Sequence, residues 1–341
     1  MAYTDIDKPS DYFNTVTYTG NGSTQSITGV NFQPDVVWIK NRTVARSHRF
    51  SNSISGVGKF FYTDLTNAEI TNANGITSFD SDGWSMGTDV GMNESGQSFV
   101  AWNWLASNTT ASNTNGSIAS TVSANTTSGF SIVSFTTTSG GNATIGHGLG
   151  SVPKMIIIKS RTNAYNWDIY HVSIGNTKRL VFTTQASETS TVWGSTTPTS
   201  SLFTMDQSFY GSGYPVIAYC FAEKKGFSKF GKYTGNGSTD GTFVYTGFKP
   251  AFIMTKSYSG YTGYWTIHDA TRNPSNVSSM SALWANATDA ESNAYGFDIL
   301  SNGFKIRSTS ATLNQSGAGY IYMAFAENPL VGTNNIPATA R

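Results

Sequence analysis

The sequence predicts an all-β chain built from three tandem antiparallel β-sandwich domains of jelly-roll or lectin-like type. Three observations carry that expectation. The apolar runs are short, aromatic and β-branched, without sustained helical periodicity. The pairs Asn21-Gly22, Asp82-Gly83, Asn236-Gly237 and Asn302-Gly303 lie between such runs, and tight hairpins need the positive φ that these residues tolerate. The chain also repeats itself three times, which bears on the whole architecture.

The repeats can be followed in order. Tyr18-Thr19-Gly20-Asn21-Gly22-Ser23 recurs unchanged from Tyr233 to Ser238. In the middle repeat the segment 130–135 stands where the tyrosine segment stands in the others. Pro34, Pro153 and Pro250 then open apolar strands that reach Lys40, Lys159 and Lys256. Trp167 and Trp265 follow their lysines by eight and nine residues, with His48 at the corresponding place in the first repeat. Glu69, Glu188 and Glu291 close matching segments, and Ser81-Asp82-Gly83-Trp84 matches Ser301-Asn302-Gly303-Phe304. Aromatic strands at 99–105, 216–222 and 320–326 end the repeats. The expected domains are 1–107, 129–226 and 227–332, each of a normal small-domain size. Residues 108–128, rich in Ser, Thr and Asn, read as a flexible linker, because they offer little apolar surface to offset ordering entropy. The first repeat is therefore expected to be the more independent one. The second and third meet at Lys224-Lys225-Gly226 without a spacer, and 333–341 reads as a polar tail.

Composition narrows the function classes. Aromatics make up 13% of the 341 residues, which does not suit a disordered chain. Twenty-one basic residues face 20 acidic ones, so the basic excess of a nucleic-acid binder is missing and no nucleic-acid partner is expected. Cys220 is alone, which leaves no intrachain disulfide and suits a buried small apolar residue. The polar first nine residues do not read as a leader, and no apolar run approaches a membrane span, so neither export by a cleaved leader nor membrane insertion is expected.

Catalytic chemistry needs a constellation, and the candidates are sparse. His171 and His268 follow the repeat tryptophans, while His48 and His147 lie elsewhere; no Ser or Cys nucleophile motif accompanies them. Glycoside hydrolysis needs two acids across one bond, whereas Glu69, Glu188 and Glu291 supply one per repeat. Asp80 and Asp82 fit a hairpin turn better than a calcium loop. Lys40, Lys159 and Lys256, with Arg42 and Arg161 nearby, read as edge-strand charges more readily than as an anion site, since Tyr258 replaces the arginine in the third repeat. No enzyme activity, metal or cofactor is expected. The strongest recognition signal is the aromatic cluster Tyr258, Tyr261, Tyr264 and Trp265 in a Gly-containing segment, a composition suited to binding a sugar or a protein.

The segments 11–16, 18–23 and 29–42, followed by Ser47-His48-Arg49-Phe50 and Phe99-Val100-Ala101-Trp102-Asn103-Trp104, resemble a family of phage proteins common in marine bacterial viruses. The third repeat carries the resemblance well, and the second lacks the hexapeptide. The resemblance implies a virion structural protein made in the bacterial host cytoplasm, displayed on the particle surface as a capsid decoration or tail-fibre-like appendage. Its implied partners are other virion proteins, further copies of itself as a homo-oligomer, and a host surface glycan or receptor. A free carbohydrate-binding module or a glycan-degrading enzyme would be the alternatives.

Overall fold

Alternation along the strands decides the architecture. In the computed structural model, which describes residues 4–332 and 337–339, the chain is all-β. Most of the tail expected at 333–341 lies outside the described residues.

The first repeat contributes β1 (Phe13–Thr19), β2 (Gln25–Ile27), β3 (Val36–Asn41), β4 (Arg49–Asn52), β5 (Lys59–Phe60), β6 (Ile70–Thr71), β7 (Ile76–Asp80), β8 (Gly83–Met86) and β9 (Ser98–Trp104). They form a larger sheet β1-β9-β3-β4, a smaller sheet β2-β8-β7 and the pair β5-β6. Next come β10 (Ala111–Asn113) and β11 (Ser120–Asn125). The second repeat adds β12 (Phe130–Thr136), β13 (Asn142–Gly146), β14 (Pro153–Ser160), β15 (Asp168–His171), β16 (Lys178–Val181), β17 (Glu188–Thr189), β18 (Leu202–Asp206) and β19 (Pro215–Ala222). Its larger sheet runs β10-β11-β12-β19-β14-β15-β16-β17, and β13-β18 is the smaller. The third supplies β20 (Ser228–Thr234), β21 (Phe243–Tyr245), β22 (Phe248–Ser259), β23 (Thr266–Asp269), β24 (Met280–Trp284), β25 (Ser292–Tyr295), β26 (Phe297–Leu300), β27 (Gly303–Ile306) and β28 (Gly319–Pro329). Its sheets are β20-β28-β22-β23-β24-β25 and β21-β27-β26.

Each larger sheet buries both faces. On β3, Val36 and Trp38 face one core while Val37 and Ile39 face another, as a period of two requires. In the second repeat Met155 and Ile157 point one way, Ile156 and Ile158 the other. In the third, Phe252 and Met254 oppose Ile253. One face packs within its own repeat, against the smaller sheet. The other joins a single core shared by all three repeats, where Trp38, Trp102, Trp167, Phe182, Trp265 and Phe252 meet. Phe182 lies edge-on to both Trp167 and Trp265, with ring centroids 5.7 and 5.2 Å apart. The expectation of an independent first repeat is therefore corrected: Trp38, Phe50, Trp102 and Trp104 are part of the common core.

The supposed linker is also ordered. β11 pairs along its whole length with β12, from Ser120 opposite Phe135 to Asn125 opposite Phe130. Backbone pairing with an existing sheet edge satisfies the polar groups of a segment that has little apolar surface of its own.

Hairpins form at two of the four expected places, between β7 and β8 and between β26 and β27, but one residue earlier than expected: Ser81-Asp82 and Ser301-Asn302 make the turns, and Gly83 and Gly303 are already paired with Asp80 and Leu300. Asn21-Gly22 and Asn236-Gly237 instead carry the chain from the larger to the smaller sheet. There, Asn93 Nδ2 donates to Asn21 Oδ1 and Ser23 O, and Asn314 Nδ2 does the same with Asn236 Oδ1 and Ser238 O. A Cβ at Gly20 or Gly235 would strike the carbonyl of Glu94 or Gln315. The repeated hexapeptide is thus a docking turn for the short helices α1 (Val90–Asn93) and α2 (Ala311–Asn314).

Candidate functional site: the seams between repeats

Most residues that the sequence marks for chemistry meet where one repeat abuts the next. Lys40, Lys159 and Lys256 are fully buried. Each donates its Nζ across a seam: Lys40 to Thr288 O at 3.0 Å, Lys159 to Thr66 O at 2.7 Å and Lys256 to Thr184 O at 2.9 Å. Burial lowers these ammonium groups to about 8, 8 and 7 respectively. They are neither edge charges nor an exposed anion site.

Two residues beyond the lysine, Arg42 forks onto Glu291 and Arg161 onto Glu69, again from repeat to repeat. Glu291 N donates to Arg42 O at 2.8 Å and Glu69 N to Arg161 O at 2.9 Å. In the third seam, Ser187 N donates to Tyr258 O at 3.0 Å and Ser187 Oγ to the same oxygen at 2.8 Å. Ser187, rather than Glu188, is therefore the counterpart of Glu69 and Glu291. Glu188 pairs with Arg179 inside its own repeat.

The tryptophan position is shared too. Trp167 Nε1 donates to Tyr62 O at 2.9 Å, Trp265 Nε1 to Val181 O at 2.8 Å, and His48 Nε2 meets Trp284 O at 2.9 Å. A further set escaped the sequence reading. Asn52, His171 and Asp269 occupy one register position, opposite Val36, Met155 and Phe252. Asn52 donates to Tyr219 Oη, His171 Nε2 meets Tyr322 O, and Asp269 accepts from Trp102 Nε1. Their nearly constant distance from the repeat prolines, 18, 18 and 19 residues, was the available signal.

The lysine, arginine and tryptophan-position contacts all run in one sense around the molecule, and the Asn52, His171 and Asp269 set runs in the other, so each seam joins the same two unlike faces. The second repeat's lysine and arginine reach the first, the first's reach the third, and the third's lysine reaches the second. Three like interfaces thus close a ring, as a head-to-tail interface does when its rotation closes.

The aromatic cluster is not one surface. Trp265 lies in the shared core at 1% exposure. Tyr258 packs against the shared core and Tyr261 against the third repeat's own core. Tyr264 is exposed and tilts against Trp284, centroids 5.8 Å apart. Tyr264 alone offers an open ring.

The histidines are held neutral. Burial lowers His171 to about 4 and His268 to about 3, and carries His48 and His147 below the ordinary range. His268 stacks on Phe297, ring centroids 4.6 Å apart, with neither nitrogen hydrogen-bonded. Among the described residues, no three His, Cys, Asp or Glu side chains gather to hold a metal, and no helix is long and apolar enough to cross a membrane.

These features define an all-β protein whose charged and aromatic repeat residues are committed to closing a three-part ring. The chain belongs to a family described as a domain of unknown function (DUF7483), whose match covers residues 8–329 and so takes in all three repeats. No curated protein and no solved structure matches the chain.

Proposed function

We propose that the chain is a non-enzymatic structural protein of a bacteriophage particle, displayed on the virion surface as a capsid decoration or tail-fibre-like appendage. In this reading each repeat is a jelly-roll or lectin-like sandwich, and three of them act as one rigid head. The observation that carries it is the ring itself. The side chains from which an acid–base or nucleophilic site could be assembled are spent on seam contacts, as Glu69, Glu291, His48 and His171 are. A rigid closed ring suits a particle component that meets other virion proteins, further copies of itself and a host surface glycan or receptor. Exposed Tyr264 supports the glycan part of the reading, and equally supports a free carbohydrate-binding module as the alternative. Cryo-electron microscopy of purified particles from the source phage tests it. Density for this ring on the capsid lattice or the tail is expected. Its absence from the particle, together with saturable polysaccharide binding by the purified chain, would favour the free module.

A further inference from the structure

The three repeats let one site be compared with itself. Between the first strand of each repeat's larger sheet (β1, β12, β20) and the edge strand of its smaller sheet (β2, β13, β21) lies a slot, and each repeat treats it differently. In the first repeat it is bridged by Asn14, whose Nδ2 donates to Gly29 O at 3.2 Å and Val30 O at 3.1 Å. In the second it is filled by the chain's own segment 111–125. Here β11 pairs with β12, Ile118 bridges Ile145 in parallel, and Ala124 sits 3.0 Å from where a Cβ on Gly148 would lie. In the third repeat the matching residues are Ser228, Lys229, Tyr245, Thr246 and Gly247, and they line an open cleft of about 440 Å³.

We infer that this cleft takes an extended, uncharged polypeptide strand from a partner protein, added to the outer edge of β20, which no strand among the described residues pairs. Four observations fix that chemistry. The equivalent slot holds such a strand already, and residues 120–125 (Ser-Thr-Val-Ser-Ala-Asn) carry no charge. Within the cleft Lys229 is neutralised by Glu223 at 2.7 Å, and Asp5 and Lys225 balance one another in sign, so a neutral occupant fits. Phe243 and Tyr245 stand 45% and 56% exposed on β21, where the first repeat has Ser26 and Thr28 in the same register. Among the described residues Phe230 N, the matching edge donor, meets the Glu223 carboxylate alone, at a long 3.4 Å. Main-chain pairing supplies affinity in strand addition, and alternate side chains supply selectivity. The inference does not depend on the virion reading.

The full chain is titrated with a synthetic peptide spanning residues 117–125 and followed by hydrogen–deuterium exchange. Saturable binding with new protection at 228–234 is expected. Lys232→Pro removes an amide of the same outward direction as Phe230 without touching the β28 ladder, and should weaken binding at least tenfold. Lys232→Ala should leave it within twofold. Lys229→Asn, which installs the first repeat's bridging side chain, should weaken binding at least tenfold as well, and serves if the proline variant melts early. No saturable binding would overturn the inference. So would protection at 130–136 instead, affinity unchanged in both blocking variants, or an oligosaccharide that fills the cleft and leaves the 228–234 amides unprotected.

Discussion

Arg161 and Glu69 form the seam contact whose energetics are easiest to isolate. The pair is bidentate, with side chains 20% and 8% exposed. Removing one partner of a largely buried pair leaves a charge without compensation, so Arg161→Met should destabilise the fold by about 3 kcal/mol in urea denaturation. Glu69→Met added to it should recover most of that loss, since both charges are then gone. The third seam lacks such a pair, and Ser187→Glu with Tyr258→Arg should build one. The double variant is expected to exceed the sum of the singles by about 1 kcal/mol in a double-mutant cycle. The buried histidines set an acid limit. The unfolded chain takes up protons near pH 6.5, while the folded chain refuses them until about pH 4 at His171 and about pH 3 at His268. Their contribution is complete above pH 6.5 and is lost as pH falls below it. His268→Phe, which also removes two unpaired buried nitrogens, should raise stability at pH 7 and make the decline between pH 6.5 and 5 shallower by about 1.4 kcal/mol per unit. Unfolding free energies at four pH values check both; a decline as steep as the parent's would count against a neutral buried imidazole.

At the scale of the element, the sequence reveals strands better than their company. β3, β14 and β22 were legible because a proline stands at or near the start of each and a run of apolar residues follows within two positions, the mark of a strand buried on both faces. The segment 108–128 was not legible, because almost nothing in it asks to be buried. Val122 and Ile118 contribute apolar contacts, and the rest of its order comes from the β12 edge, a partner that local composition cannot reveal. Asn-Gly at 21–22 and 236–237 was misread for a related reason. The dipeptide reports the backbone turn, while the destination of the next strand is set by Asn93 and Asn314, more than 70 residues away. Amides of residues 121–124 should accordingly exchange with protection close to that of β12, and proteinase K should spare this stretch under native conditions. Cleavage there ahead of all other sites would restore the flexible linker.

The whole molecule differs from three beads on a string in how it must unfold. The repeats were plain in the sequence, and so was a surplus of aromatic residues, but their joining was not. Subunit interfaces between chains would have absorbed the same surplus. What decides between the two is which face of each central strand meets another repeat, and that relation is made only by tertiary packing. The structure shows the surplus inside, with Trp102 donating to Asp269 of the third repeat while ringed by Trp38 and Phe252. A repeat withdrawn from the ring would bare one whole face of its larger sheet, so none should be stable while its neighbours are unfolded. Calorimetry should then give one endotherm, with van't Hoff and calorimetric enthalpies nearly equal, where independent domains would give a ratio near one third. Trp102→Ala, which opens a cavity where the first and third repeats meet, should cost about 3–5 kcal/mol. It should lower the entire endotherm, the second repeat included, whereas a residual transition left at the parent temperature would mean that the repeats fold as separate domains.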